Sequence, residues 1–157
     1  MDFNSCIDFI ADFGNILLAI NFLLYFIRYR NKTMAYRIFT IYLFFILFIQ
    51  LFSGYLSDKK INNLYLSHYY FIGQFLFLSF FYYKILKSNF KKTIPILSSI
   101  ILSILFFKFY TLPNLYYQFY LFEVVLCSIP VGIYSVFYFL ECFGIANKKF
   151  LILNSGI

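Results

Sequence analysis

The stretch NNLYLSHYYFIGQFLFLSFFYYKILK, residues 62–87, decides the fold. Its central run of about 20 apolar and aromatic residues can cross the ~30 Å hydrocarbon core of a bilayer as a helix. The run is continuously apolar, whereas a membrane-spanning strand would alternate lipid-facing and interior residues. A helix also satisfies its own backbone hydrogen bonds, which lipid cannot do for it. Yet this block carries the only histidine of the chain, His68, and a glutamine, Gln74. The question is what holds such groups there.

Four further blocks of the same kind flank it, so the sequence predicts spans at about 9–27, 36–56, 64–86, 94–112 and 115–140. The expected fold is all-α: a polytopic transmembrane helix bundle with five complete spans, forming one domain over 1–157. Composition agrees, with 63% hydrophobic and 12% charged residues. A soluble domain needs roughly 25% charged residues to cover its surface. The bilayer is therefore the expected partner.

The charge of +7 does not point to nucleic acid, because its position is wrong for that. Arg28, Arg30, Lys32 and Arg37 follow the first block, Lys84, Lys87, Lys91 and Lys92 the third, and Lys148 and Lys149 the fifth. Only Lys59, Lys60 and Lys108 fall on the opposite side. Ten basic residues against three predict an outside N-terminus and cytoplasmic odd-numbered loops. After Lys149 an apolar run resumes at 150–157, FLILNSGI, which reads as the start of a sixth span in a longer gene.

An ionisable group at mid-membrane costs ~2.5–3.5 kcal/mol on insertion scales, so each one calls for a partner or a role. Counting ~1.5 Å per residue from the outer edge puts Asp12 about 5 Å deep, His68 about 6 Å, Gln50 about 9 Å, Glu123 about 12 Å and Gln74 about 15 Å. All fall in the outer half. Gln50, His68, Gln74 and Glu123 are thus candidates for one outward-facing, ligand-binding polar pocket. Against this, His68 suits an aromatic belt with Tyr69 and Tyr70, and Gln74 suits a hydrogen bond between helices. The two stand six residues apart, about 120° around a helix, and Gln74 shares its face with Ser67 and Tyr70. Glu123, in YLFEVVLC, is the only acid deep in a block, and His68 is its one candidate partner of similar depth. Asp8, Asp12 and Asn15 form a stripe in the first block, which fits acids complementing a helix dipole better than a metal pair. Pro130 predicts a break in the hydrogen-bond ladder of the fifth block.

One histidine and no Cys-x-x-Cys argue against the usual zinc and iron–sulfur centres. No nucleophile motif or phosphate loop is present. No catalytic residue, metal site or cofactor is expected, and an enzyme is the least supported class.

The basic first loop, the 62–87 segment, VFYFLE closing the fifth block and KKFLILNSGI together resemble a family of small inner-membrane proteins. These are proteins of flavobacteria and their relatives, with about seven spans and no established activity. The resemblance implies a bacterial inner-membrane location, further spans beyond this chain, and matches at His68, Gln74, Glu141, Asn154 and Gly156. Gln74 and Gln50 stand where that family carries an acid, which counts against a proton-coupled role. The expected function is a sensing or ligand-binding membrane domain, with a small-solute transporter as the alternative.

Overall fold

The computed structural model describes the backbone of residues 3–154, and side chains within 9–144 except Ala11 and Leu115. Five α-helices follow one another: α1 (Phe3–Ile27), α2 (Met34–Asp58), α3 (Tyr65–Ile85), α4 (Thr93–Thr111) and α5 (Leu121–Asn154). No strand occurs among the described residues. Among the described residues, three segments are long and apolar enough to cross a membrane: Met34–Asp58, Asn89–Thr111 and Leu121–Gly144. Helix α3 has the length, at 21 residues, but its five tyrosines, His68 and Gln74 dilute its hydropathy. The described apolar part of α1, Asp12–Ile27, is shorter.

Local chemistry sets the helix ends. Thr33 caps α2, its hydroxyl accepting from the Tyr36 amide at 3.4 Å. At the other end of α2, Lys60 takes φ 55°, and the amides of Lys60 and Ile61 donate to the carbonyls of Ser57 and Leu56. That pair of bonds is a Schellman closure. Pro95 stands in the first turn of α4, where its missing N–H has no helical partner to lose.

Helix α3 is the centre of the bundle: α2, α4 and α5 all pack on it, while the described residues of α1 lean on α2. The main apolar layer joins Phe75 of α3, Ile101 and Leu105 of α4, and Cys127 of α5. Large side chains such as Phe44, Phe48, Phe106 and Phe139 point outward on every side. In water such a surface would be an association hazard; facing lipid it is the expected exterior.

The fifth predicted span needs correction. It does not begin at 115, because Pro113 opens a 3₁₀ turn, Pro113–Tyr117, and regular helix starts only at Leu121. Lys108 helps hold that connection, donating to Tyr120 Oη at 2.6 Å and lying over the Tyr120 and Phe122 rings. Glu123 is therefore in the first turn of its helix, not two turns deep. At the far end, α5 passes through Asn147, Lys148 and Lys149 without a turn, where a loop and a restart at 150 were expected. It also stays continuous across Pro130. Residues 155–157, with Gly156, lie outside the described residues.

At Gly73 the backbone of α3 lies directly against Phe45 of α2. A Cβ at this position would run into the Phe45 ring, which packs at a tilt against Phe77 at 5.3 Å. We expect Gly73→Ala to destabilise the protein in detergent by about 1–3 kcal/mol, the range for an overpacked contact. Combining it with Phe45→Ala should cost less than the two changes added together, measured by thermal unfolding. A neutral Gly73→Ala would show that Phe45 swings away freely.

Candidate functional site

His68 is the fourth residue of α3 and Glu123 the third of α5, so each sits in the first turn of its helix. The two helices run parallel, which brings these turns together at the end of the bundle holding the α2–α3 turn. His68 Nδ1 lies 2.5 Å from Glu123 Oε2. Both side chains are buried, 5% and 1% exposed. A carboxylate so placed has two sources of compensation: the imidazole N–H, when Nδ1 carries the proton, and the positive end of the α5 dipole. Its second oxygen, Oε1, makes no hydrogen bond among the described residues.

Aromatic side chains fix the imidazole. Its ring meets Phe109 edge-on at 5.0 Å and stacks near Tyr116 at 6.1 Å. Tyr116 in turn stacks on Tyr65 and shares a 3.0 Å hydroxyl contact with Tyr69. These groups wall a groove of about 440 Å³ between α2, α3 and the α4–α5 connection, lined by Phe45, His68, Tyr69, Gly73, Phe109 and Tyr116. His68 is the one ionisable residue that is buried at its wall. The groove can therefore enclose a flat apolar body.

The four candidates from the sequence do not share this groove. His68 lines it, with Glu123 directly behind. Gln50 is exposed and lies in a separate groove of about 440 Å³ between α2 and α3, beside Ser53, Asn63, Ser67 and Tyr70. There Asn63 Nδ2 donates to the Ser53 carbonyl and hydroxyl at 3.0 and 2.8 Å, tying the α2–α3 turn to α2. Gln74 is half-buried and lines neither groove. The physical reason is the 120° between His68 and Gln74 around α3. Asp12 is exposed, and the side chains of Cys6 and Asp8 lie outside the described residues. No cluster of metal-ligating side chains occurs among the described residues.

Sequence reasoning missed the aromatic walls, because Tyr116 and Phe109 reach His68 only through the fold. It also missed the contribution of Glu141, whose carboxylate accepts from the amides of Lys87 and Ser88 at 3.0 and 2.9 Å. This bond pins the far end of α5 to the α3–α4 connection. The chain matches no known family, no characterised protein and no solved structure.

Removing one member of a buried pair leaves the other polar group desolvated and unsatisfied. His68→Ala and Glu123→Gln are each expected to destabilise the protein, with a coupling energy of about 0.5–3 kcal/mol between them. A double-mutant cycle by thermal unfolding in detergent measures it. Strict additivity would mean that the two groups act independently.

Proposed function

We propose that this chain is a sensing or ligand-binding domain of a multi-pass membrane protein, with five spans, an outside N-terminus and a bacterial inner-membrane location. The observation that carries the reading is the aromatic groove with the His68–Glu123 pair at its wall. Its ligand class is a small, uncharged lipophile with a flat body. In this orientation the groove opens near the outer face, and the lysine-rich α3–α4 connection lies in the cytoplasm.

The seam between α3 and α5 supports binding over conduction. Its polar contacts occur at separate levels, and the apolar layer of Phe75, Ile101, Leu105 and Cys127 between them is buried. A transporter needs polar groups that a solute can reach from both sides.

Two experiments test this reading. For topology, single cysteines at Asn63 and Asn114 should react with an impermeant thiol reagent on intact cells, and one at Asn89 only after permeabilisation. Reaction at Asn89 from outside would reverse the orientation. For binding, organic extracts of purified wild-type and Tyr116→Ala protein are compared by mass spectrometry. A small lipophile should accompany the wild type and be depleted from the variant, which lacks one wall of the groove. Identical extracts would remove the groove as a ligand site.

A further inference from the structure

The groove of about 440 Å³ between α2 and α3 presents a different chemistry from the aromatic one. The ring contacts Phe39–Phe81 and Phe45–Phe77 fix the antiparallel register of these two helices. Continued toward the α2–α3 turn, that register sets Gln50 opposite Tyr70 and Ser53 opposite Ser67, and all four line the groove. On each helix the two residues stand three apart, so they share one face. The groove thus has two facing rows of polar groups.

Much of their hydrogen-bonding capacity is unspent. Neither the Gln50 amide nor the Tyr70 hydroxyl makes a hydrogen bond among the described residues. The Ser53 hydroxyl accepts from Asn63 at 2.8 Å and keeps its own proton to donate. The Ser67 hydroxyl donates to the Leu64 carbonyl at 2.6 Å and keeps its lone pairs. No acidic or basic side chain lines the groove. Gln50 lies eight residues, about 12 Å, before the end of α2, and its neighbours Phe48, Leu51 and Phe52 are exposed. At a level with such a lipid-suited surface, an amide calls for a hydrogen-bonding partner.

The lining discriminates among occupants. An acyl chain would leave the amide and the phenol unsatisfied, which is unfavourable away from water. An ionic headgroup would find no opposite charge in the groove. A neutral group with several hydroxyls satisfies both rows at once. Its C–H face suits the apolar side of the groove, where Phe71 and Phe119 meet edge-on at 6.3 Å.

We infer that the α2–α3 groove binds a neutral polyhydroxylated group of the sugar type, held between the Gln50–Ser53 row and the Ser67–Tyr70 row. The group arrives as a free saccharide or as the headgroup of a glycolipid, and the recognition chemistry is the same for both. The inference is independent of the groove at His68 and holds for either orientation of the chain.

Two measurements on the protein in a detergent without a sugar headgroup separate the sources. Native mass spectrometry with equal monoglucosyl-diacylglycerol and phosphatidylcholine reads the lipid headgroup, and titration calorimetry with methyl glucoside reads the free sugar. The wild type should retain the glucolipid in preference to phosphatidylcholine, bind the glucoside, or do both. Gln50→Leu and Tyr70→Phe should each weaken that binding about fivefold, the ratio for one hydrogen bond of ordinary net strength. Gln50→Leu should fold as the wild type does, because its amide has no partner within the described chain. Tyr55→Phe, an exposed tyrosine of α2 outside the groove, should leave binding unchanged. Equal retention of the two lipids together with no glucoside binding would overturn the inference. So would unaltered binding in the Gln50 and Tyr70 variants, or an equal loss in Tyr55→Phe. A dimer in detergent that Gln50→Leu dissociates would assign the amide to a second copy of the chain and overturn it as well.

Discussion

The contact between His68 and Glu123 sets the register on which the rest of the bundle depends. It joins residues 55 apart in sequence. The same separation recurs where Ser79 meets Tyr134, and separations of 54 and 53 recur where Glu141 accepts from Lys87 and Ser88. A constant offset means that α3 and α5 run parallel and in step along their shared length. In hydrocarbon the hydrophobic effect does not pull helices together, so packing and polar contacts decide which faces meet. A one-residue slip would rotate Glu123 about 100° and strip the pair of its partner. The penalty for a buried unpaired charge makes that alternative arrangement costly.

That register organises both ends of the seam. The polar residues of α3 and α5 recur at eleven-residue steps, His68 to Ser79 and Glu123 to Tyr134, which is about 20° from three full turns. Each level therefore faces the same seam. At one level the pair meets the rings of Phe109 and Tyr116, and at the next the hydroxyls meet Ser98 of α4. Phe75, Ile101, Leu105 and Cys127 close the space between them. The layering keeps the two ends chemically separate: an aromatic groove with an ionisable pair at one, and a buried hydroxyl cluster at the other.

Much of the helical layout was legible from residues alone. Continuous apolar runs and flanking basic clusters located α2, α3 and α4 closely, because the length of a helix across hydrocarbon is a one-dimensional property. The same reasoning failed at 115–120. Leu115 through Tyr120 are apolar and aromatic enough to extend a span, but Pro113 and the Lys108–Tyr120 bond turn the chain there instead. The depth assigned to Glu123 was wrong for this reason, although its pairing with His68 was foreseen from their chemistry. Gln50 and Gln74 were grouped with that pair by depth, and depth says nothing about the direction in which a side chain points.

The sequence by itself determined the class of molecule: apolar helices, few charges to wet a surface, and ionisable groups too costly to leave unpartnered. It also singled out His68 and Glu123, since a lone histidine and a lone buried acid have few other ways to be satisfied. Only the tertiary structure decided which helices are neighbours and which faces they share. The grooves, the aromatic cage around His68 and the hydroxyl cluster around Tyr134 follow from that choice. Each depends on azimuth and on contacts between separate helices, and hydropathy along a sequence carries neither.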